Sequence, residues 1–232
     1  MICRIADLFV DLPESEEMNT RCKNYLTDCD APLDVVIKRE QYHPERWDAE
    51  DAKIIEYMES GWLFYKQLLR FDGIMLHSSA VLFDGKVYLF SGPSGMGKST
   101  HTRLWQENFP GVEIINDDKP ALRKIDGIWY AYGTPWCGKD GININTKAPV
   151  GGICFLRKGD KNEIRRLSPI ESVAAILTQT QKRYYNPEIL GVMADKINDL
   201  VAEIPIFELV NRPEKEAALM SYKALVGADS EV

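Results

Sequence analysis

Val87-Tyr88-Leu89-Phe90-Ser91-Gly92-Pro93-Ser94-Gly95-Met96-Gly97-Lys98-Ser99-Thr100 is the stretch on which the fold turns. An apolar run of strand composition feeds straight into a glycine-rich loop, and Lys98 to Glu107 reads as a short helix. Gly92, Gly97, Lys98 and Ser99 satisfy the pattern GxxxxGK[ST]. Glycines let the backbone curl until several N–H groups face one concavity. A helix starting at Lys98 aims its positive end at the same anion. Lys98 can reach terminal phosphates as a point charge, the Ser99 hydroxyl can ligate magnesium, and Thr100 adds a donor. With glycine at ordinary abundance the pattern arises by chance in about one chain in a hundred of this length. The strand before it and the helix after it are what phosphate binding demands, so the stretch predicts a nucleotide site.

The next informative residues follow at once. Gly111-Val112-Glu113-Ile114-Ile115 reads as a strand ending in Asn116-Asp117-Asp118, with Asp117 19 positions after Lys98. Adjacent carboxylates repel, which raises one pKa, and a dication relieves that cost. Asn-Asp-Asp also suits a solvated turn or a helix cap. After a phosphate loop at this distance, the metal and phosphoryl-transfer reading is preferred.

Farther out, a helix is expected from Asp48 or Glu50 to about Arg70, with Ile54, Ile55, Met58, Trp62, Tyr65 and Leu69 at three- and four-residue steps. A hairpin is expected from a strand over Gly73–Phe83, the turn Asp84-Gly85 and the strand Val87–Phe90. Asp126-Gly127 marks a second hairpin, Val150–Leu156 a buried strand, and the chain from Ile170 is mostly helical around a strand at Ile204–Leu209. The expected class is α/β with a mixed sheet, antiparallel hairpins and flanking helices. Residues 1–48 are weakly patterned, apart from a candidate strand at Leu33–Lys38, and read as a small irregular N-terminal layer before a nucleotide-binding domain over 49–232.

Composition narrows the function classes. The 232 residues are 45% hydrophobic and 27% charged, as in an ordinary globular protein. A net charge of −7 speaks against a nucleic-acid partner. There is no apolar run of the roughly 20 residues a bilayer span requires, and Asp7 interrupts any N-terminal signal core. Cys3, Cys22, Cys29, Cys137 and Cys154 form no CxxC pair, and a reduced, cytoplasmic chain is expected. The three histidines show no zinc-ligand spacing.

Several single residues have a bland reading beside a functional one. His77, on the strand before the loop, is more often a packed core histidine than a ligand. Lys139 and Lys147 are loop lysines of a kind that is usually only solvated. His101 has no assigned role. Trp105, Trp129 and Trp136 are expected to pack rather than to stack on a base.

Taken together, these segments resemble the superfamily of HPr kinase/phosphorylase and ATP-dependent phosphoenolpyruvate carboxykinase, in particular its short HPr-kinase-like members. Leu76-His77-Ser78-Ser79-Ala80-Val81 looks like the histidine-bearing strand ahead of that family's loop. Ser91–Thr100 is similar to its Gly-x-Ser-Gly-x-Gly-Lys-[Ser/Thr] variant, and Asn116-Asp117-Asp118 to its acidic pair. The likeness is firm over residues 74–124 and extends to about 160. It implies a phosphoenolpyruvate-carboxykinase-like mixed sheet, ATP and Mg2+ as cofactors, and phosphoryl transfer. It implies that Ser99 holds magnesium with Asp117, and that Asp118 lies nearest the nucleophile as base or second metal ligand, the two aspartates being interchangeable at this point. It places His77 on the acceptor side, Lys98 and Lys139 on the phosphates, and Lys147 where the family has arginine. Thr100 stands where HPr kinases carry an acidic residue, and the oxaloacetate-binding arginines of carboxykinases have no counterpart. The expected activity is therefore a kinase acting on a hydroxyl, of a peptide or protein serine or of a small metabolite. A non-catalytic nucleotide sensor and a small-molecule kinase on an ordinary parallel P-loop fold, with Arg165-Arg166 or Lys182-Arg183 as lid, remain the alternatives. A homo-oligomer is compatible with all three.

Overall fold

The computed structural model describes residues 1–28, 30–42, 52–180 and 186–227. The proposed helix cap Asp48, Cys29, and Lys182-Arg183 lie outside the described residues. In chain order the elements are β1 (Ile2–Ile5), β2 (Leu8–Asp11), α1 (Glu16–Arg21), β3 (Val35–Val36), α2 (Ala52–Leu68), β4 (Gly73–Met75), β5 (Ser78–Phe83), β6 (Lys86–Ser91), α3 (Lys98–Asn108), β7 (Glu113–Asn116), β8 (Ala121–Ile125) and β9 (Ile128–Tyr132). They continue as β10 (Lys147–Lys158), β11 (Glu163–Arg166), α4 (Pro169–Gln179), α5 (Pro187–Glu203), β12 (Ile206–Asn211) and α6 (Lys215–Gly227).

One nine-stranded mixed sheet runs β4-β8-β9-β10-β6-β5-β7, with β12 beside β10 and β11 beside β12. Both Asp-Gly turns close hairpins, β5 with β6 and β8 with β9. Their turn residues have positive φ, Asp84 49° and Gly85 73°, Asp126 51° and Gly127 81°, as two-residue hairpin turns require. The apolar run of β6 does not alternate because both of its faces are covered. Val87 and Leu89 join Ile176, Met193 and Ile197 on one side, while Tyr88 and Phe90 join Trp105, Ala218 and Leu225 on the other. β6 is antiparallel to β5 and parallel to β10. The loop after it is therefore not set in an all-parallel sheet, which removes the ordinary parallel P-loop fold from the alternatives.

Two expectations need correction. The stretch 73–83 is not one strand. β4 pairs with β8 and β5 with β6 and β7, so the chain changes partner at Leu76-His77. The end of α4 takes up that gap: Gln179 O accepts from His77 N–H at 2.8 Å, and Thr180 Oγ1 donates to Met75 O at 2.6 Å. The second correction concerns the N-terminus. β1 and β2 form an antiparallel hairpin in register Ile5↔Leu8, with β3 alongside. Its turn residues, Ala6 and Asp7, sit at φ 50° and 61° without a glycine, so the hairpin carries none of the usual sequence signs. This layer shares a buried core with α2 and β9, in which Cys3, Ile5 and Val10 meet Phe64, Tyr65 and Trp136. Among the described residues no helix is long and apolar enough to cross a membrane.

Candidate active site

The loop after β6 is built by local backbone geometry. Gly92, Gly95 and Gly97 have φ of 147°, 80° and 95°, conformations that side chains other than glycine rarely adopt. Gly92 also backs onto β10, where a Cβ would lie 3.0 Å from Leu156 O. Gly97 is the N-cap of α3, no side chain caps that end, and no acidic residue lies in its first turn. Uncapped N–H groups and a positive helix end therefore face outward together. Lys98 folds back, its Nζ donating to Gly92 O at 2.8 Å and to Pro93 O at 3.4 Å. Burial lowers its pKa, against the attraction of Asp118. Ser99 and Thr100 are exposed, while Thr102 and Trp105 anchor α3 in the core.

The facing wall is built by long-range contacts. Asn116, fully buried at the end of β7, donates from Nδ2 to Thr134 O at 3.0 Å and Trp136 O at 3.3 Å. Its Oδ1 accepts the N–H groups of Asp118 at 2.9 Å and Lys119 at 2.7 Å. That turn fixes the next two carboxylates, and they differ. Asp117 is nine-tenths buried, and its Oδ1 accepts Gly138 N–H at 2.6 Å. Burial raises its pKa, the Gly138 hydrogen bond works against this, and Asp118 and Asp140 add to it. Among the described residues no lysine or arginine pairs with Asp117. Asp118 Oδ1 lies 3.1 Å from His77 Nε2, and its other oxygen is bonded to Lys119. Burial alone would raise the Asp118 pKa, but His77 and Lys119 outweigh it and push it down to about 2.

His77 lies between β4 and β5 rather than on a strand, and it is not a core histidine. Its side chain is 28% exposed. Since an ionised carboxylate only accepts, Nε2 carries the proton toward Asp118. Nδ1 faces Gln179 Oε1 at 3.2 Å, so Gln179 grips His77 through both ring and backbone.

These two walls enclose a cleft of about 550 Å³. Ser94, Gly95, Gly97, Lys98, Ser99 and Thr100 line one side, and His77, Asp117, Asp118, Gly138, Lys139 and Asp140 the other. Gly92, Pro93 and Met96 shape the loop without lining the cleft. Lys139 is exposed at the rim. Lys147, read as standing where the family has arginine, is not in the cleft lining: it pairs with Asp7 and lies over the rings of Tyr130 and Tyr132 at 5.1 and 5.4 Å. Arg165 is tied to Glu171 and Glu208 on the surface and forms no lid. Trp136 stacks on Phe64 at 4.8 Å between ring centres and donates to Ser60 Oγ at 3.1 Å, so it is core. His101 is buried against Ser221 Oγ at 2.8 Å, with burial lowering its pKa to about 4. A second hollow, of about 460 Å³ between the β8–β9 turn and α5, holds none of the expected residues.

Sequence reasoning missed Lys119, Gly138, Gln179 and Arg21. Lys119 was legible as the neighbour of Asp118. Gln179 is 102 residues from His77, and Arg21 is 117 from Gly138, whose carbonyl it reaches. Neither had a local signal.

No family model matches the chain, and no curated protein matches it. Among solved structures, the Hpr(Ser) kinase/phosphatase from Coxiella burnetii is similar over 68% of this chain and 91% of that one, at 13% identity and a TM-score of 0.41. The chemistry of the cleft is thus carried by its own residues.

Proposed function

We propose that this chain is an ATP- and magnesium-dependent kinase that transfers a phosphoryl group to a hydroxyl, that of a peptide or protein serine or of a small metabolite. One observation carries the reading: the glycine-rich loop and the acidic pair that follows one helix and one strand later line the same cleft. The residues fit the cofactors. The uncapped start of α3 suits a polyphosphate. Ser99 Oγ and the Asp117 carboxylate are hard oxygen donors suited to magnesium, and the buried Asp117 has no cation of its own among the described residues. Ser99 and Asp117 would hold magnesium there, and it would supply positive charge against the developing negative charge of the polyphosphate.

The chain's own residues divide the rest of the work. Loop amides and Lys98 hold the charge that develops on the transferred group. Asp118, kept ionised by His77 and Lys119, accepts a hydrogen bond from the acceptor hydroxyl and points its oxygen at the γ-phosphorus. The new O–P bond forms as the bond to the β,γ-bridging oxygen breaks, and the hydroxyl proton passes to Asp118. With a carboxylate of such low basicity, proton transfer comes late and positioning dominates, as suits a loose phosphoryl-transfer step. His77 and Gln179 keep Asp118 in place from the acceptor side.

The test is transfer of γ-labelled phosphate from ATP, with magnesium, to panels of serine peptides and small hydroxyl compounds. Wild type labels an acceptor, and Lys98→Ala and Asp118→Asn each lower the rate about a hundredfold or more. Unchanged rates in both variants would remove the assigned roles. Tight ATP binding with no transfer to any acceptor would favour the sensor instead.

A further inference from the structure

We infer that Arg21, at the end of α1 in the N-terminal layer, is a positioning residue for the metal-binding carboxylate Asp117. The inference rests on the kinase reading and adds a part of the chain that the cleft itself does not include.

The chain of contacts is short. Arg21 Nη1 donates to Gly138 O at 3.2 Å and Cys137 O at 3.4 Å, and lies 2.8 Å from Cys137 Sγ. The next N–H along, that of Gly138, donates to Asp117 Oδ1 at 2.6 Å. Arg21 is itself held on both sides: Nε bonds Glu17 one helical turn back, and the guanidinium lies over the Tyr57 ring at 4.6 Å. Tyr57 grips the same residue, its Oη accepting Cys137 N–H at 2.6 Å and donating to Cys137 O at 3.0 Å. The clamp thus fixes Cys137-Gly138 from two elements, α1 and α2, and Gly138 fixes Asp117.

The fit at Gly138 has no slack. A Cβ there would lie 2.8 Å from Asp117 Oδ2 and 3.0 Å from its Cγ. A shift of this loop by a few tenths of an ångström therefore turns the Asp117 carboxylate. Outer-shell partners of this kind set the orientation of a metal ligand, and their loss typically costs 10- to 100-fold in metal affinity. A planar, always-charged fork resting on an aromatic ring suits the task better than a lysine.

The test measures binding of a fluorescent ATP analogue to the full chain as magnesium is titrated, and again in EDTA. Arg21→Ala and Gly138→Ala are each expected to raise the half-saturating magnesium concentration about tenfold, and Arg21→Ala, outside the cleft, to leave metal-free binding unchanged. Arg21→Lys recovers part of the loss. Because both act along one path, the double variant is no worse than Gly138→Ala alone. A folded Arg21→Ala protein with unchanged magnesium dependence overturns the inference, as does an equal loss of metal-free binding. If Arg21→Ala does not fold, Arg21→Lys and Gly138→Ala decide, and wild-type magnesium dependence in both overturns it. Lys98→Ala runs in parallel. If that variant binds the analogue as wild type does, the nucleotide reading itself fails. If it loses binding while Arg21 and Gly138 variants keep normal magnesium dependence, only the positioning role fails.

Discussion

The two walls of the cleft are made in opposite ways. In the loop wall, Ser94 to Thr100, Lys98 is buried, Met96 and Gly97 are half-buried and the rest is exposed; its shape comes from Gly92, Gly95 and Gly97 at positive φ and the start of a helix. The acidic wall, Asn116 to Lys119, is largely buried and held from two other parts of the chain: Thr134, Trp136 and Gly138 in one segment, and His77. A loop that depends on its own backbone can recruit a ligand but has little to hold a carboxylate still. A wall braced from a distance can do so, at the cost of depending on every brace.

That contrast predicts the largest stability effect on the acidic side. Asn116→Ala removes a buried amide and leaves the Asp118 and Lys119 N–H groups and the Thr134 carbonyl without a partner. Urea denaturation should show a loss of about 3 kcal/mol, the range for a buried hydrogen-bond network left unsatisfied. A loss no larger than that of an exposed substitution such as Ser94→Ala would erase the distinction between the walls.

The contrast also explains what the sequence could and could not tell. The shape of the glycine-rich loop was legible because every feature that makes it lies within nine residues, Gly92 to Thr100. The two Asp-Gly hairpins and the helix packed on β6 were legible for the same reason. Asp117 and Asp118 were legible as a pair but not as individuals. What separates them is Gly138 on one and His77 with Lys119 on the other, and only Lys119 is adjacent. The break at Leu76-His77 was hidden because the residues that take its hydrogen bonds, Gln179 and Thr180, come a hundred positions later. The N-terminal hairpin was hidden because Ala6-Asp7 turns without glycine.

A smaller effect should appear where the N-terminal layer docks. Asp7 accepts from Tyr132 Oη at 2.8 Å and pairs with Lys147. Burial alone would raise its pKa, but Lys147 and Tyr132 outweigh it and hold it below the usual carboxylate range. A carboxyl whose folded pKa is depressed contributes stability that is complete above its unfolded pKa, about 4, and is lost as pH falls through the folded value. Amide hydrogen exchange of residues 2–11, corrected for intrinsic rates, should therefore show less protection at pH 3 than at pH 6. Asp7→Asn should flatten the difference, and equal protection of the wild type at both pH values would contradict the assignment.

The smallest effect is expected where the two walls meet across open solvent. Arg103 and Asp140 pair at 2.6 Å, but both side chains are about half exposed. Asp140→Ala should change stability by less than about 1 kcal/mol, since water screens such a pair. A thermal melt shifted well beyond that would show that the walls brace each other directly.

The central claim is that loop and aspartates form one pocket for a metal-bound polyphosphate. Calorimetric titration of ATP into wild type and Asp117→Asn, each with and without magnesium, tests it most directly. Asparagine keeps the carbonyl that accepts Gly138 N–H and removes the charge. Magnesium should tighten ATP binding to wild type about tenfold or more, a coupling of ordinary size between two ligands. Asp117→Asn should keep the metal-free affinity and lose most of that gain. Equal tightening in both proteins would mean that the carboxylate and the phosphate loop do not share a ligand.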